Sequence, residues 1–371
     1  MRAFLLMLCV ALSFLPRLVR GQTTTEPDTV TVHSKGMALR ALLWRPPGKG
    51  PFPAVLFNHG SGHGVLGPSG AIEHTMEWQA EAIAPAFVRH GYVFFAPLRR
   101  GTGLSADQGT NSSDRWDSAL VARGQDARNR LQVELLESVE LDDALAGLAF
   151  LRARPEVDAR RVGIWGISQG GWPASVLAAS DSSLAFVILH AGSSLTPAVQ
   201  GEDEMRMRVI ETGGTQGDID DLLAYYRHYL DVLRGGTNRE SLDELYRALR
   251  AKGNRYIWSP AVATSARERW QRGINDFDPV PYWSTARVPV LALFGEFDGY
   301  VTPEANVPVL RAAFARSGNR DTTIVVFPRA NHRIEESSRR VSNDWVIGSR
   351  YLPDYYNTMA LWLDRHLTRK R

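Results

Sequence analysis

The chain of 371 residues is long enough for one large domain or two modest ones, and 44% hydrophobic and 22% charged residues are ordinary globular proportions. Its net charge of +3 gathers into no basic patch, which leaves a nucleic-acid partner without support. Its one cysteine, Cys9, excludes an internal disulfide framework.

The first segment, MRAFLLMLCVALSFLPRLVRGQ, reads as a secretory signal. Arg2 gives a minimal positive start, and Ala3 to Leu15 is an apolar stretch too short to span a bilayer comfortably. Val19-Arg20-Gly21 offers small residues for cleavage, although Arg17 and Arg20 lie unusually close to the cut. A membrane anchor or a misassigned start is the competing reading. Leu6-Met7-Leu8 before Cys9 does not make a convincing lipobox. Loss of residues 1–21 removes Arg2, Arg17, Arg20 and no acid, taking the net charge from +3 to 0. Cys9 leaves with it. The expectation is an exported protein, secreted or periplasmic, free of disulfides and without stable membrane insertion once the signal is gone.

After a polar spacer, Gln22 to Pro27, strand and helix patterns alternate. Val30–His33 and Ala38–Trp44 read as an antiparallel pair, Ala54–Asn58 as a short buried strand, and residues 71–90 as a helix ended by Gly91. Tyr92–Pro97 is a further buried strand. Leu131–Arg154 has helical spacing and Pro155 closes it. Strands follow at Arg161–Ile167, Leu184–His190, Val288–Phe294 and Thr323–Phe327, with helices at Gly171–Ser180 and 355–368. Such alternation predicts an α/β fold: a mostly parallel sheet with helices on both faces. It breaks at about 193–286, where Asp218–Leu233 and Ser241–Lys252 read as helices and aromatic residues are frequent. That stretch is expected to be a helical, lid-like insertion with a role at the substrate pocket. Ordinary packing of extra helices is the plainer alternative.

Two motifs carry chemistry. Gly166-Ile-Ser168-Gln-Gly170 is G-x-S-x-G between a buried strand and a helix, the context of a nucleophile elbow. A serine hydroxyl needs a base and an orienting acid. With this elbow they follow in the order acid, then histidine. Of nine histidines, only His332 and His366 lie beyond the late strands. His332 sits in a loop after a strand; His366 lies among charges in the terminal helix and reads as surface. Asp298, before Gly299 and a Pro303-started helix, is preferred as the acid. Glu296 lies nearer the strand end and is expected to hydrogen-bond locally, and Asp321 lies at the wrong end of the sheet.

The second motif is His59-Gly60-Ser61-Gly62 at the end of Ala54–Asn58. It overlaps a G-x-G-x-x-G dinucleotide fingerprint at Gly62, Gly64 and Gly67. Pro68 and Ser69 fall where that fingerprint needs a running helix, and Arg99 and Arg100 where it needs an acid. The oxyanion-loop reading is therefore preferred, with no cofactor. The backbone N–H of Gln169 and that of Ser61, or alternatively Gly60, are the donors. His59, His63 and His74 have no carboxylate cluster to complete a metal site, so no metal is expected. Arg99 and Arg100 line the pocket for an acidic substrate or form a structural ion pair. Asn111-Ser-Ser113 is a glycosylation sequon if the host is eukaryotic.

The chain resembles the α/β-hydrolase superfamily over nearly its whole mature length, on the His59 loop, Arg100-Gly-Thr-Gly-Leu-Ser105, the Ser168 elbow, Phe294-Gly-Glu-Phe-Asp298 and Ala330-Asn-His332. It is most similar to the dienelactone-hydrolase and prolyl-oligopeptidase-like branch. It departs from the former in having serine in place of a cysteine nucleophile, and from the latter in having no room for a propeller. The resemblance implies residues 22–371 as one hydrolase domain acting on a small-molecule ester or amide through an acyl-enzyme. Carboxylic esters are the first choice and small peptides or acyl-amino acids the second. A non-catalytic ligand-binding relative is the contrary class, and an intact triad argues against it.

Overall fold

Val93, Phe94, Phe95 and Ala96 are all buried, yet they alternate between two separate apolar clusters. Successive side chains of a strand point to opposite faces, so such a run fits a strand covered on both sides. Ala54, Leu56, Val290, Ala292 and Phe294 enter one cluster, and their neighbours Val55, Phe57, Leu291 and Leu293 enter the other. The computed structural model describes residues 26–60, 65–66, 72–73, 75–108, 141–234, 236–260, 275–340 and 351–368.

The strands are β1 (Asp28–Ser34), β2 (Met37–Trp44), β3 (Phe52–Asn58), β4 (Val65–Leu66), β5 (Ile72–Glu73), β6 (Val93–Pro97), β7 (Val157–Ile167), β8 (Val187–His190), β9 (Val290–Gly295) and β10 (Thr322–Phe327). The helices are α1 (Thr75–Arg89), α2 (Leu141–Arg152), α3 (Gly171–Ser180), α4 (Pro197–Glu211), α5 (Gln216–Arg234), α6 (Arg239–Ala251), α7 (Val280–Trp283), α8 (Pro303–Ser317) and α9 (Pro353–Thr368). One sheet runs in the order β1-β2-β6-β3-β7-β8-β9-β10. The β1–β2 and β2–β6 pairings are antiparallel, and the remaining neighbours are parallel. Ile83 and Phe87 of α1 join Met359 and Trp362 of α9 on one face; Leu148 of α2, Leu177 of α3 and Leu310 of α8 lie on the other. This is the mostly parallel α/β architecture expected.

Some expected bounds shift, and one is only partly covered. The helix expected at 71–90 begins at Thr75, because Ile72–Glu73 pairs antiparallel with Val65–Leu66. A strand pair therefore stands where the dinucleotide reading needed a helix start. The helix expected from Leu131 is described from Leu141; residues 131–140 lie outside the described residues.

Between β8 and β9 the regular elements among the described residues are helices, with no strand. Leu222, Tyr225, Tyr226, Tyr229 and Leu230 of α5 pack with Met205, Val209, Leu242 and Leu249 in a core separate from the sheet. The Tyr225 hydroxyl donates to the Trp258 carbonyl at 2.6 Å. The tyrosines of α5 thus fill a helical core.

Arg100 takes the structural role of its two alternatives. Its guanidinium meets the Asp143 carboxylate of α2 with both side chains buried, and the hydrogen bonds to Asp143 hold its pKa above the usual arginine value. The Ser34 hydroxyl donates to the same carboxylate at 2.6 Å. Among the described residues, no helix is long and apolar enough to cross a membrane.

Candidate active site

The carboxyl ends of the parallel strands are where open α/β sheets place their sites, and each motif from the sequence ends there. β7 stops at Ile167, and Ser168 follows with φ +52°, a left-handed conformation for a residue with a side chain. Holding one costs of order 1–3 kcal/mol, so the surroundings must impose it. They do so by close approach. A Cβ on Gly166 would meet the Gly170 carbonyl oxygen at 2.4 Å, and one on Gly170 would meet the Asn58 carbonyl oxygen at 2.1 Å. The Asn58 side-chain amide donates to the Gly170 carbonyl at 2.9 Å, tying β3 to the turn. Ser168 remains partly exposed, Gln169 is buried, and α3 starts at Gly171, where the sequence placed it.

His332 and Asp298 come together from the loops after β10 and β9. His332 Nδ1 lies 2.8 Å from Asp298 Oδ2. A carboxylate only accepts, so Nδ1 carries the proton and Nε2 is the basic nitrogen. Asp298 is fully buried, and its Oδ1 accepts the backbone N–H groups of Tyr300 at 2.8 Å and Val301 at 2.9 Å. The carboxylate is thereby fixed before it meets the imidazole. Gly295 has no Cβ for the same kind of reason as the elbow glycines: one would lie 2.2 Å from the Asn331 carbonyl oxygen. The histidine loop can therefore cross the end of β9. The Tyr300 ring packs 5.3 Å from that of His332.

The rejected candidates have other partners. Glu296 Oε2 accepts the Arg329 backbone N–H at 2.7 Å. Asp321 and His366 pair with each other at 2.5 Å, where β10 begins and thus at the end opposite His332.

In the loop after β3, Gly60 passes so close to the Ser168 turn that a Cβ there would lie 3.3 Å from the Ser168 Cβ. Ser61, His63, His74 and Asn111 lie outside the described residues. Arg99 is buried behind this loop, and its Nη2 donates to the Gly60 carbonyl at 2.7 Å. His59 Nδ1 stands 2.9 Å from the same carbonyl, and its Nε2 lies 3.4 Å from the Arg99 backbone N–H. Burial, reinforced by the Arg99 charge, holds His59 well below the usual histidine range. A neutral imidazole against a guanidinium supports a loop and does not suit a cation. Among the described residues, no group of three or more metal-ligating side chains occurs.

Sequence reasoning missed His190. It ends β8 beside Ile167, its Nε2 is 3.1 Å from the His332 carbonyl oxygen, and its Nδ1 is 2.7 Å from the Tyr355 hydroxyl of α9. Burial pushes its pKa down to about 3, with the neighbouring His332 second. It is therefore neutral at working pH.

Comparison with solved structures places the same fold elsewhere. A protein described as a dienelactone hydrolase, from Klebsiella pneumoniae subsp. pneumoniae, superposes with a TM-score of 0.50 at 17% identity, over 91% of this chain and 98% of that one. The esterase Pf2001 of Pyrococcus furiosus gives 0.50 at 12% identity, over 92% and 90%. DcsB, solved in complex with its substrate analogue, gives 0.51 at 15% identity, over 92% and 99%. These likenesses concern the α/β-hydrolase fold alone. Among curated proteins, none matches the chain in sequence. A family profile described as X-Pro dipeptidyl-peptidase (S15 family) matches residues 35–316, a span that holds Ser168 and Asp298 and ends before His332. With well over half of its length inside that match, the chain belongs to the X-Pro dipeptidyl-peptidase (S15) family and is a serine hydrolase.

Proposed function

We propose that the enzyme hydrolyses a carboxylic ester through an acyl-enzyme built on Ser168, His332 and Asp298. The observation that supports it is a left-handed serine at the end of β7 together with a histidine whose Nδ1 is held by a buried carboxylate. His332 Nε2 takes the Ser168 proton as Oγ attacks the ester carbonyl. The oxyanion is met by the Gln169 N–H, at a helix opening, and by the N–H of Ser61, with Gly60 the alternative donor. His332 then protonates the departing alcohol, and a water deprotonated by the same nitrogen releases the acid and restores the serine. No cofactor enters these steps.

A peptidase reading has its own support in the family match. A dipeptidyl-peptidase must hold a substrate ammonium, and a carboxylate is the natural partner. Four carboxylates described on the site loops and on the helices tied to them already have partners. Asp298 holds His332, Glu296 the Arg329 N–H, Glu304 the Arg340 guanidinium, and Asp203 of α4 the Thr302 hydroxyl. Asp298, tied to His332, and Glu304, paired with a guanidinium, are thereby removed as ammonium sites, which supports the ester reading. Comparing p-nitrophenyl acyl esters with Xaa-Pro p-nitroanilides should give the higher kcat/KM on an ester. A higher value on the Xaa-Pro amides would make the enzyme a peptidase.

Residues 1–21 act as an export signal in this reading, and residues 22–371 form the hydrolase domain with its helical insertion at about 193–286. Intact mass measurement on protein from its native host should find a chain beginning near Gln22. A soluble cytoplasmic form retaining Met1 would sink the export proposal.

A further inference from the structure

Ser168 is held at the end of β7, whereas His332 and Asp298 sit on loops, and loops do not fix distances between one another. Something rigid must set His332 relative to Ser168. Three observations converge on His190. The β7–β8 register places it directly beside Ile167, the residue before Ser168. Its Nε2 faces the His332 carbonyl oxygen at 3.1 Å. It lies at the last position of β8, and the next backbone N–H, that of Ala191, donates to the Leu293 carbonyl of β9 at 2.8 Å. One side chain therefore joins β8, the strand hydrogen-bonded beside the nucleophile's, to the backbone of His332.

The proton arrangement is determined by chemistry. A carbonyl oxygen only accepts, so Nε2 must carry the hydrogen. The neutral ring then has a bare Nδ1, and the Tyr355 hydroxyl, 2.7 Å away, donates to it. The ring is confined further by Trp165, stacked at 6.3 Å and 13°, and by the Tyr355 ring at 5.2 Å. His190 and Tyr355 are both fully buried, so bulk solvent does not reach either side chain.

We propose that His190 is a positioning residue for hydrolysis: its Nε2–H holds the His332 backbone in register with Ser168, and Tyr355 fixes the tautomer that makes this possible. The inference rests on the triad reading above. It is separable from a plain packing role, because it requires a donor at one point in space and not merely a filled volume. A displacement of about 1 Å in a catalytic group can cost on the order of 100-fold in rate without weakening substrate binding.

The experiment compares wild type, His190→Leu, His190→Gln and Tyr355→Phe on one activated ester. It measures kcat, KM, the rate of fluorophosphonate labelling and the thermal midpoint. His190→Leu should lower kcat and labelling by roughly 10- to 100-fold at unchanged KM. His190→Gln, whose amide can place an N–H near the Nε2 position, should recover most of that loss. Tyr355→Phe should lower kcat by less than His190→Leu, again at unchanged KM. Wild-type kcat in His190→Leu, or a loss that follows the thermal midpoint and is not recovered by glutamine, would overturn the inference. If His190→Leu does not fold, Tyr355→Phe decides: a lowered kcat supports the proposal and an unchanged one refutes it. A wild type that resists the probe would refute the triad reading itself, and this inference with it.

Discussion

Ser168→Ala should lower kcat by about six orders of magnitude, the scale of loss when a triad serine is removed from a serine protease. The substitution deletes one oxygen and keeps the Cβ. The left-handed backbone at residue 168 carries the same steric load as before, and the flanking glycines still admit the turn. The thermal midpoint should therefore stay close to that of the wild type. Fluorophosphonate labelling, read by intact mass, should vanish with hydrolysis, because both need the same nucleophilic oxygen. Ester hydrolysis persisting at more than a trace in a well-folded Ser168→Ala protein would remove Ser168 from the mechanism.

Asp298→Asn should cost about 10⁴-fold in kcat, and the geometry explains why the amide cannot substitute. The N–H groups of Tyr300 and Val301 both point at Oδ1 and require an oxygen there. An asparagine at 298 must then turn its NH₂ toward His332 Nδ1. That nitrogen becomes the acceptor, the ring proton moves to Nε2, and the base can no longer accept the Ser168 proton. Substrate binding is untouched, so KM should hold while kcat falls. Glu296→Gln is the control: a glutamine oxygen can still accept the Arg329 N–H, and most of the rate should remain. Measuring kcat for both variants on one ester settles the assignment. A severe loss in Glu296→Gln with a mild one in Asp298→Asn would reverse it.

The elements that sequence reading found are those whose cause is local. The β6 run is apolar on both faces, and the glycines around Ser168 announce a close crossing before any partner is known. Helix α4 escaped notice because its only buried residues are Ala198, Met205 and Val209, too few to mark a helical face. Its one local signal is the Thr196 cap ahead of Pro197: the Thr196 hydroxyl accepts the Val199 N–H. Arg99 and Arg100 could not be told apart in sequence, since their partners, Gly60 and Asp143, are set by the strand and the helix that lie against β6. Chain order pointed to His332 and Asp298, which the structure brings within 2.8 Å of each other. His190 was not legible in this way, because its significance depends on a carbonyl 142 positions downstream.

Those separations also say when the site comes into being. Asn58 holds Gly170 across 112 positions, His190 holds His332 across 142, and Tyr355 closes on His190 across 165. Contacts between such distant parts of a chain form only after the intervening loop entropy has been overcome. Tyr355, on α9, follows both His190 and His332 in the chain and so leaves the ribosome after them. A nascent or C-terminally shortened chain holds the serine, its turn and the oxyanion loop while lacking the brace that sets the base against them. On the proposed mechanism, such a chain stays short of full activity until α9 has docked against β8.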